Sequence, residues 1–345
     1  VNTVREDPER QGLLFAGTEQ AVYVSFDDGG HWQTLRQNMP ATSIRDLVIH
    51  GDDIVVGTHG RSFWILDDIT PLRQLNPDTT KSPAFLFNPQ VATRVRWNMN
   101  TDTPLPPEEP VGQNPPDGAV FDYWLREDVK GEVKLVVHTG SPGTLVFSSS
   151  DTPAPVSADE LNKPAYWIRP AQTISTKAGA HRFVWDLHLP APPALEHDYP
   201  ISAVVRDTWL EPRGAWVLPG TGTVALVVDG KEISTRPFTI RMDPRVKTML
   251  PDLQRQFSLS LACMEGMART VHALEALRAM KSPDPKARML EEDFTNLHGD
   301  MAHLLEVFQS ADAKPSEQAV EAENQAQRRL AALTARFDEL KKAAR

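Results

Sequence analysis

At 345 residues, with 40% hydrophobic and 24% charged side chains, the chain is long enough for two or three folded domains and too apolar to be disordered. Its formal net charge of -10 argues against nucleic acid or an anionic membrane as a partner, because both require a basic face. No apolar run reaches the roughly 18 residues of a membrane-spanning helix, and the single cysteine, Cys263, excludes an internal disulfide while leaving the compartment open.

Short strands come first. Leu13–Ala16, Ala21–Phe26, His31–Leu35, Ile44–Ile49, Asp53–Gly57 and Ser62–Leu66 are apolar or alternating runs, punctuated by Gly17-Thr18, Asp27 to Gly30, Gly51-Asp52 and His59-Gly60. The segment Ser25-Phe-Asp27-Asp-Gly29-Gly-His31-Trp32 reads as a tight hairpin turn. Asp27 is expected to accept hydrogen bonds from its own loop, Gly29 and Gly30 to supply positive φ, and Trp32 to pack beneath. Phe15-Ala-Gly-Thr-Glu followed by Ala21-Val-Tyr-Val is echoed by Val56-Gly-Thr-His-Gly followed by Ser62-Phe-Trp-Ile. A repeat of about 40 residues has the length of a propeller blade. Closure needs typically four to eight blades, so residues 1–90 read as the last blades of an incomplete propeller, and the chain as a piece of something longer. The remaining blades are then its first expected partner.

Residues 91–118 form a Pro-rich connector, marked by Thr103–Pro110 and Asn114–Gly118, with Phe85 and Trp97 pinning it to a neighbouring surface. Over 119–243 the strands Ala119–Trp124, Glu132–Val137, Gly143–Phe147, Gly179–Leu187, Gly222–Gly230 and Ile233–Arg241 predict a β-sandwich, with a hairpin turn at Gly230-Lys231. From Pro251 onward the apolar period becomes helical. Leu253, Phe257, Leu261, Met264, Leu274 and Leu277 mark one helix; Leu290, Phe294, Leu297, Met301, Leu305 and Phe308 a second; Leu330, Leu333, Phe337 and Leu340 a third. Lys281–Pro285 and Pro315-Ser316 separate them, so residues 250–345 are a helical hairpin or three-helix bundle. The expected fold class is mainly β with an α-helical C-terminus.

Two motif sets carry resemblances. Ser25, Asp27, Gly29 and Trp32 resemble the Asp-box of BNR-type β-propellers, with His31 where Thr is usual. Together with Gly57-Thr-His59-Gly-Arg61-Ser-Phe-Trp-Ile-Leu-Asp67-Asp68, they resemble the last blades of large bacterial sortilin-like propeller proteins often labelled "glycosyl hydrolase, BNR repeat". The strings Gly179-Ala-His-Arg-Phe-Val-Trp-Asp186 and Leu218-Pro-Gly-Thr-Gly-Thr-Val resemble the Ig-like module of flagellar hook-capping proteins and many secreted bacterial enzymes. The resemblance implies a periplasmic or extracellular location and a protein, peptide or glycan ligand on a propeller face. The chain itself then completes the propeller and supplies accessory binding modules without catalysis. The alternative is part of a glycoside hydrolase whose carboxylates lie mostly outside these residues. In a third reading the helical tail mediates assembly.

Candidate chemistry is sparse. Asp52-Asp53 and Asp67-Asp68 are adjacent in sequence, and neighbouring strand residues face opposite ways, so turn capping is expected of both pairs. His59 and Arg61 flank Gly60 in a turn, where they either touch a ligand on the propeller face or set blade register. His181, Asp186, His188, His197 and Asp198 form a loose cluster, but His181 and His188 differ in strand parity, which disfavours a metal site; Trp185-Asp186 reads as a core tryptophan and a turn-capping aspartate. Cys263 reads as buried packing and Glu265 as a residue of the polar helix face. No phosphate loop, Gly-x-Ser-x-Gly elbow, His-Glu-x-x-His or Cys-x-x-Cys motif is present. No catalytic residue, metal ligand or cofactor is assigned.

Overall fold

The computed structural model describes residues 1–97, 102–109, 111–140, 143–153, 161, 163–201, 204–280 and 285–343. Strands β1 (Thr3–Glu6), β2 (Leu14–Gly17), β3 (Val22–Ser25) and β4 (Gln33–Thr34) form one antiparallel meander, and β5 (Ile44–His50), β6 (Asp53–Thr58) and β7 (Phe63–Leu66) a second. The two sheets share one core, in which Phe15, Val22 and Val24 meet Ile44, Leu47, Ile54 and Val56. Gly17 permits this approach, since a Cβ there would lie 2.6 Å from the Ile44 side chain and 2.8 Å from that of Thr3. Strand β1 has no sequence signature because Thr-Val-Arg-Glu carries one large apolar residue, Val4, and that residue is exposed.

Two short helices follow, α1 (Thr70–Gln74) and α2 (Pro77–Lys81), the second capped by the Asn76 side chain accepting from the Asp78 and Thr79 amides. The next strands are β8 (Ala84–Leu86), β9 (Ala92–Arg94), β10 (Ala119–Leu125), β11 (Val133–Thr139), β12 (Gly143–Ser148), β13 (Gly179–Trp185), β14 (Gly220–Val228) and β15 (Lys231–Met242). They build a three-stranded sheet, β13-β10-β8, and a five-stranded sheet, β12-β11-β14-β15-β9, whose last pair is parallel. Alternate residues from both sheets fill one core, with Phe121 and Trp185 each edge-on to Phe238 and Phe147 against Phe183. Strands β8 and β9 depart from the expected boundaries. Ala84–Leu86 falls within the first expected unit and Ala92–Arg94 within the connector, yet both pair into these sheets. Their partners lie far away in sequence, so three-residue runs beside prolines give no local sign of them. The hairpin turn also moves by one residue: Val228 pairs with Lys231, and the turn is Asp229-Gly230.

The C-terminal region is a three-helix bundle of α3 (Leu250–Met280), α4 (Pro285–Gln309) and α5 (Glu317–Ala343), packed around Met267, Leu274, Phe294, Met301, Leu330 and Phe337. The expected break at 281–284 lies outside the described residues. Helix α3 serves two cores. Phe257, Leu261 and Met264 pack on the sandwich-like sheets, while Cys263, Met267 and Leu277 face the bundle. Glu265 is exposed, and Cys263 is fully buried with its thiol pushed up to about 12, chiefly by burial and further by the charge of Glu323. The protein is thus β-rich over its first 243 residues and built of the helices α3, α4 and α5 beyond them, and among the described residues no helix is long and apolar enough to cross a membrane.

Candidate functional site

The first turn is a closed hydrogen-bond system. Ser25 Oγ donates to Asp27 Oδ1 at 2.9 Å and accepts from the Gly29 amide at 2.9 Å. Asp27 Oδ1 also accepts from the His31 amide at 2.8 Å, and Oδ2 meets His31 Nδ1 at 2.6 Å. The His31 and Ser25 hydrogen bonds pull the Asp27 carboxyl down to about 2. Positive φ falls on Asp28 and Gly29 (57° and 87°), and not on Gly30 as expected. Gly30 instead makes room for the carboxylate, since a Cβ there would lie 2.9 Å from Asp27 Oδ2. Trp32 borders Gly29 but is 40% exposed, so it lies beside the turn and does not sit buried beneath it.

His59 and Arg61 are both exposed in the turn between β6 and β7. Their backbones build that turn: the His59 amide donates to Ser43 O at 2.9 Å, the Arg61 amide to Thr58 Oγ1 at 3.1 Å, and Trp64 Nε1 to Arg61 O at 2.8 Å. Beside them the outer face of the β5–β6–β7 sheet is bare, with Val48 49%, Phe63 79% and Ile65 58% exposed. Three of the four paired carboxylates are engaged locally, while burial and the neighbouring charge of Asp53 push the Asp67 carboxyl upward. Asp53 accepts from the Asp68 amide at 2.9 Å, Asp68 from the Thr70 amide at 3.0 Å, and Asp52 pairs with Arg73, which also holds the buried Asp7 at 3.0 Å.

A second place brings distant residues together. The irregular excursion between β13 and β14, the chain just after β9, and α4 enclose a cavity of about 470 Å3. Trp97, Trp209 and Trp216 line it, with Asp117, Glu211 and Arg213. Trp97 Nε1 donates to Asp117 Oδ1 at 2.9 Å, and Asp117 Oδ2 pairs with Arg169 at 2.9 Å. Burial pushes the Asp117 carboxyl upward against the pull of Arg169. The Arg213 guanidinium lies 4.1 Å from the Trp209 ring centre and donates to Asp186 at 2.6 Å. Trp209 Nε1 donates to Glu211. Trp216 is flanked by His188 at 4.2 Å and by Arg94 and Arg96 at 5.2 and 5.3 Å, and its amide donates to Gln309 of α4 at 2.9 Å. Burial, with Arg213 alongside, lowers His188 to about 3, so its ring is neutral near pH 7.

Only part of the loose His/Asp cluster converges. Asp186 and His188 meet, but their shared partner is Arg213. As expected, Trp185 is buried and the Asp186 carboxylate accepts from the His188 amide. His181 lies against Tyr123, His197 is exposed, and Asp198 pairs with Lys163 at 3.0 Å. Among the described residues no group of three or more such side chains is placed to hold a metal ion. Sequence reasoning misses Trp209, Arg213 and Trp216 because residues 189–219 have no periodicity; the signal present is two tryptophans and an arginine within eight positions. No family model, curated protein or solved structure matches this chain.

Proposed function

We propose that this chain is a non-catalytic region of a secreted propeller protein, in which the two small meander sheets act as blades and the rest supplies accessory protein- or glycan-binding modules. One observation carries the reading: the β5–β6–β7 sheet buries one face against its neighbour and leaves Val48, Phe63 and Ile65 on the other. A sheet with two apolar faces is built to be covered on both sides. Its natural cover is a further sheet of the same kind, because Gly57 keeps the face low beside Phe63. The exposed His59 and Arg61 then stand at the rim of that face as candidate ligand contacts. The Asp-box and Ig-like resemblances support the same assignment, and with it a periplasmic or extracellular site of action.

The test is coexpression of the chain with the polypeptide encoded ahead of Val1 in the same gene. Association that slows amide exchange over Phe63–Leu66, and that Phe63→Lys with Ile65→Lys abolishes, is the expected result. Absence of any such partner segment, or association insensitive to both substitutions, overturns the reading. A hydrolysis screen on aryl glycosides, run on the same complex, is expected to show no turnover; turnover would replace this reading with the glycoside hydrolase one.

A further inference from the structure

We propose that His298 of α4 is a protonation-sensitive latch: its neutral imidazole holds residues 190–201 of the β13–β14 excursion on the helical bundle, and acidification releases that segment and opens the cavity it helps to wall. The inference goes beyond the function proposed above and does not depend on it.

Donor and acceptor counting fixes the state of the ring. His298 is 4% exposed, with the Leu195 amide donating to Nε2 at 3.1 Å and Thr270 Oγ1 lying 2.9 Å from Nδ1. The Thr270 hydroxyl has one proton and donates it to Met267 O at 2.7 Å. Thr270 therefore accepts from His298, Nδ1 carries the ring hydrogen, and Nε2 presents the lone pair that receives the Leu195 N–H. A second proton on the ring goes to Nε2, where it meets that N–H head-on. The hydrogen bond is then lost, and both the amide and the new cation are left without a partner in a buried place.

This one bond carries mechanical weight. Among the described residues it is the one hydrogen bond between 190–201 and the bundle, and Ala194 and Leu195 pack on the bundle core beside it. The segment is joined in turn to the cavity wall: the Glu211 amide donates to Asp198 O at 2.8 Å and the Asp198 amide to Glu211 O at 3.3 Å. Pro200, Ile201 and Glu211 line the cavity on the excursion side, and Ala302, about one helical turn beyond His298, lines it on the α4 side. Release at Leu195 therefore parts two walls of the same space.

The charges around the ring do not favour an imidazolium. From α3 it meets Met267 and Thr270, which are uncharged. On α4, Asp293 and Asp300 pair with Arg336 and Arg329 of α5. On the excursion, Glu196 and His197 flank Leu195 and are exposed, and of the two His197 acts on the ring, with like charge. Burial lowers the proton affinity of His298, the Met267 carbonyl opposes that, and His197 adds to the lowering, so the latched ring is neutral near pH 7. Once released, the imidazole returns toward its ordinary 6.5. The latch is complete above that value, and each pH unit between it and the lower latched value weakens the latch by about tenfold.

The experiment uses the whole chain. Nitrogen NMR on histidine-labelled protein at neutral pH is expected to show His298 with a hydrogen on Nδ1 and none on Nε2. Amide exchange, corrected for its intrinsic pH dependence, is then followed from neutral pH into the acid range. Protection over 194–199 is expected to fall by about tenfold or more as His298 titrates, while α3, α4 and α5 keep theirs. His298→Gln offers Leu195 an amide oxygen that does not titrate, and is expected to retain the protection throughout. The opposite tautomer, protection that persists after the His298 signal has titrated, an equal loss in His298→Gln, or a loss shared by all three helices each overturns the proposal. Should His298→Gln fail to fold, the tautomer and the match between the His298 titration and the exchange midpoint in the unaltered chain decide the matter.

Discussion

Arg94 and Asp312 stand 218 positions apart and form an ion pair inside the protein, with side chains only 2% and 3% exposed. Arg94 ends β9, Asp312 follows α4, and Arg96 reaches the same carboxylate at 3.0 Å. The helical bundle is thereby bolted to the β-rich part of the chain through charge as well as through Phe257 and Leu261.

Removing one member leaves the other charge buried and unpaired, which typically costs about 3–5 kcal/mol. Asp312→Ala is expected to destabilise by that amount in urea unfolding. The double change Arg94→Met with Asp312→Leu is expected to recover much of the loss, because the fully buried charge is gone and the charge left without its carboxylate, that of Arg96, is partly exposed to solvent. Equal losses for the single and double variants would show that Arg94 is not held by Asp312.

Arg182 on β13 joins the first unit to the second. It donates to the Asp67 and Asp68 carbonyls, each at 2.9 Å, and to both Asp122 oxygens at 3.0 and 3.1 Å. Arg182→Met keeps the aliphatic stem and loses the fork. The expected cost is about 1–3 kcal/mol, with faster amide exchange in β6 and β7 and little change in the bundle. A uniform effect on all three regions speaks against a local bridge.

His188 has a lower affinity for protons when folded, about 3 against an ordinary 6.5, because burial and Arg213 oppose its charge. Its neutral form is favoured in the fold, so stability is complete above about pH 6.5 and falls as the pH drops toward 3. His188→Gln is expected to flatten that part of the stability profile in urea melts between pH 6 and 4. An unchanged slope would mean that the imidazole titrates normally in the fold.

Asp27 shows the same sign in a different range. Its carboxyl is lowered from 3.8 to about 2 by His31 and Ser25, so the turn is supported above about pH 4 and loses that support as pH falls through 2. Carbon-detected NMR titration is expected to place the Asp27 midpoint near 2, and Asp27→Asn to perturb the Gly29 and His31 amides. A midpoint near 4 rules out the hydrogen bonds that close the turn.

Cys263 is sealed in the bundle, with the thiolate disfavoured by burial. A thiol reagent is expected to leave it untouched in the native protein and to react fully in denaturant. Rapid labelling of the native chain would reveal an opening of α3 that the packing does not contain.

Local pattern was enough to announce the turn at Ser25–Trp32, most of the strands, and the three helices. Each is set by neighbours within a few residues: a carboxylate two positions from a hydroxyl, alternation along a strand, an apolar residue every three or four positions. The edge strands Ala84–Leu86 and Ala92–Arg94 were hidden, because three residues hold no period and their stability comes from partners such as Ile240, which pairs with Ala92. The cavity was hidden for the same reason. Asp186 and His188 were visible as a fragment, but only folding brings them to Arg213 and, around one space, gathers Trp97, Trp209 and Trp216 with α4. Amino-acid order alone determined the longer strands and the three long helices, since those choices are made by short-range geometry. Tertiary packing decided which charges are neutralised and which rings face one another, because both depend on distances between residues that the chain keeps far apart until it folds.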